Sequence, residues 1–397
     1  MLSSQELRQL IPFMDQVHYL DNASVVPAST RVWAAMEKYG TKYPLNYGVG
    51  VFPAAAEASS LVNEARVKLM KFINARYPEE IIFTKNTTEA INMVAYGGPW
   101  ESGDEIILTT IEHQSNIMPW IRLEKERGVV LKFVQASKEG FIDPASVQEL
   151  VSSKTKLISV TYVSNIFGII TPVEEIGAIA RRAGAFYMID SAQAGGRIPM
   201  DVQRTECDFM PLCGRKSMMG PQGTGALYIK KELTPMIKPL NIGSRAGHVQ
   251  NEQTITLNEA PFKFETGVLN TAGVIGLGVA VDTLAEIGIE NIQEKITQLA
   301  QYMIDGLLAI PEVDLYGSHD ARRLAGIVSW NVRGHDCFEI ASRLGKEANV
   351  AVASGSQGAF LAIRPLGIQG VVRSSVHYFT DERDIDALLD GLKKILA

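Results

Sequence analysis

The sequence predicts an α/β fold, with a mostly parallel, doubly wound sheet in a large domain and a smaller α+β domain after it. Three observations predict it. Strand and helix patterns alternate from Ile81 to Ile229. At 397 residues the chain exceeds one ordinary core, so two domains are expected. Past Lys230 the alternation gives way to a stretch of little periodicity, then to a second set of helices and strands. The expected divisions are an N-terminal arm at 1–15, a large domain at 16–262 and a small domain at 263–397.

In chain order, His18 to Ser24 reads as a short extended segment, and Leu61, Ala65 and Leu69 form one helical stripe. Ile81-Ile-Phe83 is a strand that runs into polar residues, Thr84 to Asn92. Glu105 to Leu108 is the next strand, followed by the Glu112-His113 turn, a helix near Pro119 to Glu126 and a strand at Val129 to Val134. Leu157 to Tyr162 and Phe186 to Ile189 are apolar runs of strand length. Between them, Thr171-Pro-Val-Glu174 predicts a capping box, and Gly184 ends its helix. Pro235 to Pro261 reads as a long irregular connection, which is uncommon and often functional. Thr271 to Ile287 predicts a long helix stopped by Gly288. Strands at Ile327 to Val332 and Val350 to Ser354 flank a helix near Phe338 to Leu344. The last helix has Thr380 as its expected cap, acids in its first turn and a stripe of Ile385, Leu388, Leu389, Leu392 and Ile395.

Composition narrows the function. Apolar residues make up 46% and charged residues 21%, as in soluble globular proteins. A net charge of −6 without a long basic run argues against a nucleic-acid surface. Cys207, Cys213 and Cys337 lack a CxxC spacing and no histidine pair forms HExxH, so no disulfide framework or metal site is expected. The best apolar run, Val274 to Val281, is too short for a membrane span. Glu6, Arg8 and Asp15 precede any long apolar run, unlike a signal peptide, and the expected compartment is the cytoplasm.

Chemistry concentrates where strands end. Asp190 closes one apolar run, and Lys216 follows another and precedes a glycine-rich turn. An acid and a lysine at the carboxyl edge of one sheet can act on one ligand. The pair suits pyridoxal phosphate: a lysine forms a Schiff base with the aldehyde, and an aspartate keeps the pyridine nitrogen protonated. Thr87 and Thr88 stand between a strand and an apolar helix, where free N–H groups and hydroxyls suit a phosphate.

In their order along the chain, Tyr19-Leu-Asp-Asn-Ala23, Thr87-Thr-Glu89, Glu112-His113, Ser164-Asn165, Asp190-Ser-Ala-Gln193, Gly214-Arg-Lys216, Phe264-Glu-Thr-Gly267 and Val372-Arg-Ser374 resemble the class V aminotransferases. These are fold-type I pyridoxal-phosphate enzymes, and the likeness is to the branch of SufS-type cysteine desulfurases and selenocysteine lyases. The resemblance implies Lys216 as the Schiff-base lysine and later the base at the substrate Cα. It implies Asp190 at the pyridine nitrogen, His113 on the ring face, Gln193 at the phenolic oxygen and Thr88 at the phosphate, with Thr87, Cys213 and Arg215 beside it. Arg373, assisted by Asn165, would grip the substrate carboxylate, with Ala23 and Tyr47 at the substrate end. A homodimer with the site at the subunit interface is also implied.

The chain departs from that pattern in places. Arg215 replaces the usual histidine before the lysine, Cys213 a serine, Val268 a threonine, and Asn46-Tyr47-Gly48 a His-Arg-Gly. The branch carries a nucleophilic cysteine on the loop upstream of the arginine. Here that loop reads Ala353 to Ala359, and the corresponding position, fifteen before Arg373, is Gly358. The expected reaction is therefore C–S or C–Se lysis of an α-amino acid by β-elimination, without a persulfide cysteine. Transamination, an isopenicillin N epimerase-like reaction and a non-catalytic scaffold are the alternatives.

Overall fold

The computed structural model describes residues 2–45, 47–48, 50 and 52–397. Its centre is a seven-stranded sheet in the spatial order Ile81–Thr84, Gly225–Ile229, Phe209–Cys213, Phe186–Asp190, Thr155–Thr161, Glu105–Thr109, Val130–Val134. Six strands are parallel and Gly225–Ile229 runs against both of its neighbours. Side chains alternate between two cores: Ile106, Leu108 and Leu157 enter one, while Ile107, Ile158 and Val160 enter the other. Burial on both faces explains why these strands read as unbroken apolar runs.

Six carboxyl ends thus share one edge. Asp190 ends one of these strands, and just beyond others lie Asn86 to Thr88, Glu112-His113, Val163 to Asn165 and Lys216.

Thr271–Ile287 packs against helices Thr30–Lys42 and Pro53–Phe72 and is buried nearly all round. A Cβ on its Gly278 would stand 2.8 Å from the Cβ of Ala65, so only glycine permits this approach. No single helix among the described residues is long and apolar enough to cross a membrane.

The C-terminal part of the chain carries a second, antiparallel sheet, in the order Val313–Tyr316, Ile327–Val332, Val371–Ser375 and Ala353–Gly355. The N-terminal segment packs onto it. His18–Tyr19 pairs in parallel with Val350–Ala351, and Arg8 clamps Asp384 of the last helix through two bonds of 2.7 and 3.1 Å.

Three local expectations need correction. Pro172, not Thr171, caps Val173–Ala183, and the Thr171 hydroxyl makes no capping bond. Asp381 caps the last helix, Glu382–Leu396, through a box with Asp384, while the Thr380 hydroxyl accepts from the His377 N–H. The stretch expected to be irregular forms a hairpin, Gly247–Asn251 with Thr254–Leu257, whose residues are almost all exposed.

Candidate active site

The residues at the strand ends enclose one cavity, lined by Thr87, Thr88, His113, Asn165, Asp190, Gln193, Cys213, Arg215 and Lys216 among others. All nine were singled out from the sequence. Asn86 caps the helix Thr87–Gly97 by accepting from the Glu89 N–H at 2.9 Å. The first N–H groups of that helix have no partner within it and face a favourable dipole for an anion. Thr88 donates its hydroxyl to Ser115 Oγ at 2.9 Å. Ser115 and Asn86 also line the cavity; Asn86 belongs to the polar stretch that the sequence places at a helix start, whereas Ser115 carries no signal of its own in the sequence.

His113 opens the turn Gln114–Asn116, and its Nδ1 accepts from the Ser115 N–H at 3.1 Å. That bond places the ring proton on Nε2. Burial, and then the cations of Lys216, Arg373 and Arg215, hold the imidazole down at about 4, so it is neutral at pH 7. Beneath it Glu112 is fully buried. Its carboxyl accepts from Thr109 Oγ1 at 2.5 Å, Asn116 Nδ2 at 2.8 Å and the Thr161 N–H at 2.8 Å. Glu112 therefore ties the turn that presents His113 to two strands.

Asp190 is buried, and burial raises its carboxyl above the usual range despite a bond from the Ala192 N–H at 2.9 Å and the nearby Lys216. A carboxylate there calls for a cationic partner in the cavity. Burial lowers Lys216, while Cys213 and Asp190 oppose that shift and Arg373 and Arg215 add to it. A lysine so placed gives up its proton more readily than one in water, as a nucleophilic amine must. Arg215 donates to the Ser24 carbonyl, and its own carbonyl accepts from the Val26 N–H at 3.0 Å.

Arg373 lies behind this cavity. It donates to Ser24 Oγ at 2.7 Å, the Asn165 carbonyl at 2.9 Å and Asp21 at 3.3 Å, leaving Nε without a partner. Burial lowers its pKa and Asp21 opposes that shift. Ala23 bridges the surroundings of the two sheets, its carbonyl accepting from Gln193 Nε2 at 2.9 Å and its N–H donating to Ser375 Oγ at 2.8 Å. Asp21 and Ser24 were not singled out as partners of the arginines. Tyr47 lies apart from the cavity. Its hydroxyl donates to Asn63 Oδ1 at 3.1 Å and its ring lies 4.5 Å beneath the Arg245 guanidinium. Asn46 falls outside the described residues.

Three polar atoms around the cavity are buried without a hydrogen-bond partner: Thr87 Oγ1, Asn165 Oδ1 and Gln193 Oε1. Such orphans are rare in folded proteins, and three around one cavity mark a place for a polar ligand. A hydroxyl at a helix N-terminus, an acid, and a lysine match a phosphorylated pyridine aldehyde group for group.

The chain matches the aminotransferase class-V family over residues 18–388. It is 37% identical to a probable cysteine desulfurase of Methanothermobacter thermautotrophicus over 397 residues, covering 99% of this chain and 98% of that one. The apo structure of a cysteine desulfurase from Thermococcus onnurineus superimposes with a TM-score of 0.96 at 33% identity, covering 100% and 98% of the two chains. The cystine C–S lyase C-DES, solved with its product cysteine persulfide, superimposes with a TM-score of 0.85 at 25% identity, covering 96% and 98%. Matched along nearly its whole length in sequence and in fold, the chain belongs to the class V aminotransferase family.

Proposed function

We propose that this protein is a pyridoxal-phosphate-dependent lyase that cleaves the C–S or C–Se bond of a cysteine-like amino acid by β-elimination. The cofactor supplies an aldehyde that takes up amines and a ring that withdraws electrons from the substrate Cα. Thr87, Thr88, Arg215 and the helix N-terminus would hold its phosphate, Asp190 its pyridine nitrogen, Gln193 its phenolic oxygen and His113 its ring face. Lys216, lowered by burial, moves the proton at the substrate Cα. Arg373 and Asn165 receive the substrate carboxylate.

One observation favours elimination over persulfide formation. Position 358 is glycine, and Cys207, Cys213 and Cys337 are all buried. Cys213 alone among them lines the cavity, on the strand that leads to Lys216. A similar enzyme whose solved product is cysteine persulfide, the cystine C–S lyase, supports the same reading. The active form is a homodimer with the site at the subunit interface.

Product analysis with L-cysteine and L-cystine tests this. Pyruvate and ammonia are expected, and alanine as the main product would overturn it. Borohydride should fix a pyridoxyl label on Lys216, and Lys216→Ala should abolish both label and turnover.

A further inference from the structure

The turn from Ser356 to Ala359 closes on the imidazole of His113. Gln357 and Gly358 both have left-handed backbone, at φ +53° and +70°. Three hydrogen bonds hold the turn in place. The Gln114 N–H donates to the Gly358 carbonyl at 2.7 Å, Asn165 Nδ2 to the Gln357 carbonyl at 2.7 Å, and the Ala359 N–H to the Ser356 carbonyl at 2.9 Å. A Cβ built on Gly358 would stand 2.7 Å from His113 Nε2 and 3.0 Å from its Cδ2, well inside van der Waals contact. The ring cannot simply retreat. Its Nδ1 is bonded to the Ser115 N–H, and the preceding Glu112 is tied to Thr109, Asn116 and Thr161.

We propose that Gly358 is a positioning residue for His113. Its missing side chain lets the turn seat against the imidazole edge, fix the ring and close that side of the cavity. This rests on His113 belonging to the cofactor site. With glycine at 358, the seated turn offers no atom there that can carry sulfur. Any side chain at 358 meets both the ring and an unfavourable left-handed backbone.

Amide hydrogen exchange at Gln114 and Ala359 in the full-length protein as isolated reads the seated turn directly. Gly358→Ala should speed exchange at both amides by about tenfold or more, the size expected from left-handed strain alone before the ring contact is added. In a His113→Ala background the same substitution should cost clearly less, because the clash is gone. Carbethoxylation of His113, followed by peptide mass, should quicken in Gly358→Ala. Equal losses in both backgrounds, or no loss in either, would overturn the proposal. Should Gly358→Ala not fold, His113→Ala alone decides: exchange at Ala359 must rise, and an unchanged rate refutes the seating. None of these readouts requires turnover, so they stand apart from the product analysis above.

Discussion

Arg373 meets the rest of the molecule as a donor, to the Asn165 carbonyl, the Ser24 hydroxyl and the carboxylate of Asp21. A lysine at this position keeps the charge and loses the planar fork. Losing a charge-assisted bond costs about 1.5–3 kcal/mol, so Arg373→Lys should raise KM for the amino acid by roughly 10- to 100-fold. Cofactor content, read from absorbance, should stay near wild type; equal loss of cofactor would refute the carboxylate role. Glu112 carries a different test, because burial pushes its carboxyl up to about 8 from an ordinary value of 4.5. Between those values the folded state holds a proton that the unfolded chain has released. Its contribution is therefore full below about pH 4.5 and is lost as pH rises through about 8. Tm of Glu112→Gln relative to wild type should climb over that window. The slope with pH is the readout, since the new amide NH₂ faces the Asn116 NH₂ and lowers Tm at every pH. A flat difference would mean Glu112 is ionised throughout. Residues such as Lys216 and Asp190 were legible because their chemistry is rare at a strand end. Asp21 and Ser24 were not, because they meet Arg373 across some 350 positions of chain and only folding brings them there.

Elements whose signal is local were readable, and those shaped by contacts were not. Thr271–Ile287 appeared with its bounds because its apolar run ends at a glycine. The hairpin at Gly247–Leu257 escaped because exposure on both faces removes the alternation that marks a half-buried strand. The caps at Thr171 and Thr380 each failed by one residue, where Pro172 and Asp381 took the position. The Phe264-Glu-Thr-Gly267 motif had no stated role, and the structure gives Glu265 one. Its carboxylate forms two bonds with Arg66 of Pro53–Phe72, at 2.7 and 2.9 Å, and accepts from the Phe83 N–H at 2.8 Å. Both partners are buried, so this pair joins a helix to the outer strand of the large sheet away from solvent. Glu265→Ala removes both ion-pair bonds of the buried Arg66, which keeps only its bond to the Ile81 carbonyl among its backbone acceptors, and leaves the Phe83 N–H without its carboxylate. It should cost about 3–5 kcal/mol in urea unfolding. A loss under 1 kcal/mol, the range of exposed pairs, would mean water reaches the pair.

At the scale of the molecule, several large apolar side chains around the Gly247–Leu257 hairpin and Val268 are exposed. Val249 and Val268 are 73% and 71% exposed, and Phe52, Ile242 and Ile255 are exposed with them. They are held in one region. The Gly267 N–H donates to the Ser244 carbonyl at 2.8 Å, and Arg245 packs on Tyr47, near Phe52 in the chain. Val268 also lines a hollow with Lys85 and Glu89, next to the helix N-terminus at Thr87. Patches of this kind mark interaction sites, and in the proposed homodimer a second copy of the chain would cover this one. Light scattering should therefore give twice the 43.4 kDa chain mass. Val268→Glu touches no core, so the variant should fold with wild-type far-UV dichroism. Its mass should fall toward one chain at micromolar concentration, with turnover falling alongside it. A fully active monomer would show that each chain completes its own site, and the apolar surface would then need a different occupant.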